Sequence, residues 1–279
     1  MAGRRFGIEL SPDRVEAWVK GDGLVLTEPA VVARAKGSHK WPLYGAQALH
    51  AAAQPSPETE LAYPFGITEL TDSAAATQML RHLISRIVGR LVFARHELVM
   101  AVPAELSTSA RRALLDVALA SGARMAHLLD LPLAMAFGVG LPVTSWDPSP
   151  VLFLLPQGAQ AAIVCHHGLL AHGSAPLRQD TYADPANQTL SDQGLDSVAQ
   201  LVLGVLEEAP PSAQGVLERA GLVIAGRGLN LDLAASALST RTGIRTRVAA
   251  DPQHCVVKGA EVALERIEAA GGRTLLYLR

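Results

Sequence analysis

Apolar and polar positions alternate along this chain in two similar runs of elements. In the first, Phe6 to Leu10 reads as a strand, Ser11-Pro12-Asp13 suits a tight turn, and Val15 to Lys20 reads as a second strand. Gly21-Asp22-Gly23 then turns the chain into a third strand, Leu24 to Thr27, so the first three strands form a meander. Leu80, Leu83, Ile84, Ile87 and Val88 fall on one face of a helix predicted over 77–88. Leu98 to Val102 is an apolar run stopped by Pro103, and Ser107 is a good N-cap for a helix carrying Ala110, Ala113, Leu114, Val117 and Ala118, with Gly122 at its C-terminal cap. Met125 to Leu129 is another apolar strand, and Pro132 suits the first turn of a helix over 133–140. Strand, helix, strand, helix within fifty residues requires parallel strands with crossover helices.

The second run repeats the plan. After the Pro- and Ser-containing linker 144–150, strands are predicted at 151–155, 161–164 and 168–171. A polar loop is expected over 172–190. Leu195, Val198, Ala199, Val202 and Val205 mark a helix over 191–208 that Pro210-Pro211 stops. A short helix at 213–219, a strand at 221–225, a helix at 231–242 ended by Gly243, a strand at 245–249 and a final helix from Gln253 complete the run. Meander then αβα, twice, predicts an α/β chain of two lobes, 1–143 and 144–279. Residues of about 33–75 are mixed in character, with Gly, Pro, Ser and scattered charges.

Composition narrows the function. Hydrophobic residues make up 49% of 279, enough for a large core. The formal net charge of −2 gives no electrostatic case for nucleic acid. Two cysteines, Cys165 and Cys255, cannot frame a disulfide scaffold, and a reducing cytoplasm is expected. Arg4 and Arg5 precede an apolar run that Glu9, Ser11 and Asp13 interrupt at once, so an export signal is not expected. Cys165-His166-His167 falls short of a metal site, because neighbouring strand residues face opposite ways. Arg90 to Arg95 sets three apolar side chains, Leu91, Val92 and Phe93, between arginines. This pattern fits either a return to the core or contact with an anionic membrane surface.

Several segments resemble the MreB family of bacterial actin homologues. "WVKGDGLVLTEPAVVA", "VMAVPAELSTSARRALLDVALASGARMAHLLDLPLAMAFGVGLPV" and "AGLVIAGRGLNLDLAASALSTRTGIRTRVAADPQHCVVKGAEVALE" are similar to its strand–turn–strand, middle and closing segments. The resemblance implies the actin-like, ribonuclease-H-like duplicated fold, with the first peripheral subdomain at 33–75. The family's second peripheral subdomain is expected to be missing, since only the loop 172–190 stands in its place. It also implies partnership with an MreB-type filament or cell-wall synthesis proteins, at the inner face of the plasma membrane, with Leu91, Val92 and Phe93 in the position of the family's membrane-contacting loop.

The family's cofactors are ATP and Mg²⁺, held between two glycine-rich turns whose N–H groups meet the phosphates. The resemblance puts Glu9, Ser11, Gly158, Gly226 and Gly228 at what remains of that site. Ser11 replaces a glycine, Pro12 has no N–H and Val15 has no hydroxyl. At the second turn Phe153 replaces the aspartate, Leu155 and Pro156 replace glycines, and Leu131 takes the place of the water-activating glutamate. Loss of a general base alone typically costs ~10²–10⁴ in rate. The expectation is therefore a non-hydrolysing scaffold with no catalytic residue. The competing expectations are a slow ATP-binding filament former built on Glu9 and the glycines, and a monomeric regulator using the cleft for another ligand.

Overall fold

The computed structural model describes residues 4–54, 58–89, 96–121, 123–143, 145–166, 168–178, 181–184 and 189–269. The chain opens with β1 (Arg5–Leu10), β2 (Arg14–Val19) and β3 (Gly23–Pro29), paired antiparallel as the meander predicts. β4 (Val32–Ala35), β5 (Leu43–Tyr44), α1 (Gly45–Ala52) and β6 (Thr59–Ala62) then build a three-stranded sheet with a helix, around Val31, Ala33 and Ala48. It lies largely within the stretch where the family resemblance implies the first peripheral subdomain. Its elements are too short for any periodicity to reveal.

α2 (Ser73–Val88) begins four residues before the expected start, because the Asp72 carboxylate accepts from the Ala75 N–H and Ala75 and Ala76 are buried. β7 (His96–Val102), α3 (Thr108–Ala120), β8 (Ala123–Asp130) and α4 (Leu131–Gly138) complete the first half. Ser107 caps α3 through the Ala110 N–H at 3.2 Å, as its sequence predicts. The expected cap Gly122 lies outside the described residues; Ser121 occupies the C-cap position. The first sheet runs β3-β2-β1-β7-β8, with β1, β7 and β8 parallel.

The second half repeats this with β9 (Ser149–Leu155), β10 (Gly158–Cys165) and β11 (Gly168–Pro176). β12 (Tyr182–Asp184) and β13 (Thr189–Leu190) pair, and α5 (Asp192–Glu207), α6 (Pro211–Ala220), β14 (Leu222–Gly226), α7 (Leu231–Thr242), β15 (Thr246–Val248) and α8 (Cys255–Ala269) come after them. The second sheet runs β11-β10-β9-β14-β15. The loop expected from residue 172 is shorter than its sequence suggests. His172 to Pro176 belong to β11, paired along β10 from Ala162↔His172 to Gly158↔Pro176. Further along that stretch β12 pairs with β13, Tyr182 opposite Leu190 and Asp184 opposite Thr189.

The last helix of each half packs against both halves. α8 lies on β1 and β7 of the first sheet, α4 packs on β9 and β10 of the second, and the two helices cross each other. Glycines permit this. A Cβ on Gly259 would sit 1.7 Å from the Ala134 carbonyl oxygen, one on Gly138 1.7 Å from that of Cys255, and one on Gly7 2.8 Å from the Glu261 nitrogen. A continuous core joins Val99 and Ala101 of the first sheet to Val151 and Phe153 of the second through these helices. The junction between halves is thus a packed core with a polar patch at one end.

Candidate functional site

That patch results from strand alternation. On β1, Phe6, Ile8 and Leu10 enter the core beneath α2, so Gly7 and Glu9 face α8. Glu9 pairs in register with Glu16 of β2, and Glu16 with Thr27 of β3, while Ala101 and Leu129 continue the row on the other side. Two carboxylates therefore sit side by side on an otherwise apolar face, both at 0% exposure. Like charges directly opposite are destabilising unless cations answer them.

Cations answer from both halves. Arg227 comes just after β14 in the turn Gly226-Arg227-Gly228 and is 5% exposed. Its Nε and Nη2 donate to the two Asp13 carboxylate oxygens at 2.7 and 2.8 Å, and its Nη1 stands 2.7 Å from Glu9 Oε1. Ser11 Oγ donates to the same Glu9 oxygen at 2.5 Å. The guanidinium carbon lies 5.6 Å from the centre of the Phe153 ring, where the family resemblance implies a carboxylate. Around Glu16, Arg14 Nη2 lies 3.1 Å from Oε1, Thr27 Oγ1 donates at 3.2 Å, and His254 Nδ1 sits at 3.2 Å. Arg14 also donates to the Gln253 carbonyl at 2.8 Å, just before α8.

Burial and mutual charge set the electrostatics. Burial lowers the Arg227 pKa, but Glu9 and Asp13 outweigh it and hold the guanidinium firmly protonated. Burial lowers the Arg14 pKa, and the charge of Arg227 adds to this. Glu16 is pushed up by burial and then by Glu9, against the pull of Arg14, Arg227 and His254. The Cys255 thiol at the start of α8 is raised by burial and by the Glu9 charge, which keeps it unreactive.

The structure brings together Glu9, Ser11, Gly226 and Gly228 in this cluster. Gly226 and Gly228 have φ of +141° and +67°, and a Cβ on them would meet the Leu154 oxygen at 1.9 Å and Pro156 Cγ at 2.6 Å. Their turn is pressed onto the end of β9, and that close seat aims Arg227 across the junction. Gly158 sits elsewhere: it opens β10 opposite Leu155, with Ile67 and the Ala175 carbonyl against its α-carbon. Leu91, Val92 and Phe93 lie outside the described residues. Leu131 is buried in the junction core, and Asp130 accepts from Arg111 Nη2 at 2.5 Å.

Phosphates need free N–H donors, and three N–H groups of these turns are used internally. Ser11 N–H donates to the Arg14 carbonyl, Gly226 N–H to that of Pro252, and Arg227 N–H to that of Leu154. The turn after β9 is held by Tyr182 Oη donating to the Pro156 carbonyl at 2.7 Å and by Leu177 N–H donating to that of Gln157. These groups, as arranged, do not fit a nucleotide triphosphate with its metal. Sequence reasoning missed Asp13, Arg14, Glu16, Arg227 and His254. The available signal was an arginine between two glycines and a glutamate on each of two adjacent strands in matching register.

The sequence profile of the MreB/Mbl protein family matches residues 3–188 and 183–271. The chain belongs to the MreB/Mbl family. It is 24% identical to the cell shape-determining protein MreB of Escherichia coli K12, covering 96% of this chain and 95% of that protein. It is 21% identical to the cell shape-determining protein Mbl of Bacillus subtilis 168, covering 99% and 100%. The Escherichia coli alignment spans 329 positions against 279 residues here, so that relative carries segments this MreB/Mbl chain lacks. The two profile matches overlap at 183–188, from within β12 to just before β13. Among solved structures, the ADP-bound MreB5 of Spiroplasma citri superposes with a TM-score of 0.83 at 17% identity, covering 98% of this chain and 99% of that one. A MamK double helical filament superposes with a TM-score of 0.71 at 12% identity, covering 94% and 99%. The fold of this MreB/Mbl chain is therefore actin-like.

Proposed function

We propose that this MreB/Mbl chain is a cell-shape cytoskeletal protein that does not hydrolyse ATP. It acts as a scaffold beside an MreB-type filament and the cell-wall synthesis proteins. Membership of a family whose relatives are cell shape-determining proteins supports the cytoskeletal part. The observation that carries the rest is Arg227, bound between Glu9 and Asp13 where the family resemblance puts phosphates and metal. Among the described residues no helix is long and apolar enough to cross a membrane. Membrane association, in this reading, comes from Leu91, Val92 and Phe93 entering the acyl boundary while neighbouring arginines meet anionic headgroups.

The test pairs phosphate release with co-sedimentation. Release stays at background with and without a Glu9→Gln substitution, and the protein pellets only with filaments of an MreB relative. A release rate above background that Glu9→Gln abolishes contradicts the proposal. The competing reading, a slow ATP-binding filament former, gains from two guanidinium groups, Arg14 and Arg227, that phosphate could engage if the carboxylates let go. That reading predicts pelleting of the protein alone upon addition of ATP.

A further inference from the structure

We infer that Arg227 is a built-in ligand that holds the two lobes together, a permanent clasp in place of an exchangeable one. The inference rests on the non-hydrolysing reading above and adds how the junction is set without nucleotide.

The bridge has one end on each sheet. Arg227 is carried by the turn after β14 on the second sheet, and its partners Glu9 and Asp13 belong to β1 and its following turn on the first. Nε and Nη2 donate to the two Asp13 oxygens at 2.7 and 2.8 Å, and Nη1 faces Glu9 Oε1 at 2.7 Å as an ion pair outside hydrogen-bond geometry. That fork matches planar bidentate recognition, which a point charge could not reproduce. Gly226 and Gly228 seat the turn on β9, so the side chain spans the junction from a rigid base. Separation of the sheets here would leave a guanidinium and two carboxylates beside the buried Phe153 ring. Removing one partner from a buried pair is strongly destabilising for that reason. Glu9 Oε2 is also buried with no hydrogen-bond partner, so Glu9 depends on its other oxygen, and hence on Arg227 and Ser11.

Chemical rescue tests this. Arg227→Ala keeps Cβ and removes a group equal to ethylguanidinium. The variant is expected to melt roughly 5–10 °C below the parent, with faster amide exchange in both the 11–14 turn and the 226–229 turn. Millimolar ethylguanidinium is expected to recover part of the loss saturably, whereas ethylammonium, a cation without the fork, leaves it unchanged. Arg227→Lys, milder should the alanine variant fail to fold, is expected to melt between the two and to gain nothing from either compound. Equal melting of Arg227→Ala and the parent, or equal rescue by both cations, overturns the clasp. Phosphate release by the parent that Glu9→Gln abolishes fails the non-hydrolysing reading instead, and that assay is independent of the rescue.

Discussion

Single residues decide the character of the junction. Glu9 was legible through the family resemblance, which puts it at the first phosphate turn with a carboxylate kept there. Its partner was not legible. Arg227 and Asp13 lie 214 residues apart, and no local pattern couples them. A second charged pair, His172 with Glu105 at 3.9 Å, joins β11 to the loop after β7. Glu105 raises the His172 pKa against the lowering by burial, with Asp130 and Glu208 adding to the rise. A histidine whose folded pKa is raised contributes stability that is fully present below its unfolded pKa of about 6.5 and is lost as pH rises through the folded value. His172→Gln should therefore lower the melting temperature at pH about 5.5 and leave it unchanged at pH about 8.5. A loss of equal size at both ends of that range would rule out a stabilising charge pair here. Both side chains are partly exposed, so the effect is small.

Elements were legible where a run of apolar residues is long or a cap is strong. The strands β1, β7, β8, β9 and β14 and the caps Ser107 and Gly243 needed no tertiary information. β11 was not legible past Ala171, because His172-Gly173-Ser174-Ala175-Pro176 has little strand propensity and is extended only by pairing with β10. The short strands and helix of the insertion escaped for the same reason. The crossing of α4 and α8 was also invisible, since glycine in a helix pattern reads as a weakness. The structure turns that weakness into a requirement. Gly259→Ala would force the helices apart and should cost about 1–3 kcal/mol or more in chemical denaturation. Gly204→Ala on α5, where an added Cβ meets nothing within 4 Å, should instead stabilise by about 0.4–1 kcal/mol. Effects of the same sign at both positions would contradict the packing described.

At the scale of the molecule, two sheets of five strands face one shared core, and the cluster of Glu9, Asp13, Glu16, Arg14 and Arg227 closes one end of it. The duplicated plan could be read from the order of elements alone. The expected loss of phosphate donors at Pro12 and Pro156, and of a carboxylate at Phe153, could be read from the family resemblance alone. What filled the space could not, because it is a property of two distant turns meeting. Membrane association belongs to this scale too. Changing Leu91, Val92 and Phe93 together to serine should reduce co-sedimentation with anionic liposomes several-fold while leaving melting unchanged, and undiminished pelleting would remove lipid contact from the proposal.

The central claim is that the cleft holds its own arginine and takes no nucleotide. A calorimetric titration of the purified protein with ATP and Mg²⁺ tests it most directly. No binding heat is predicted at millimolar nucleotide. Saturable micromolar binding, with Arg227 displaced from Glu9 and Asp13, would contradict the claim and return the protein to the nucleotide-switched filament formers.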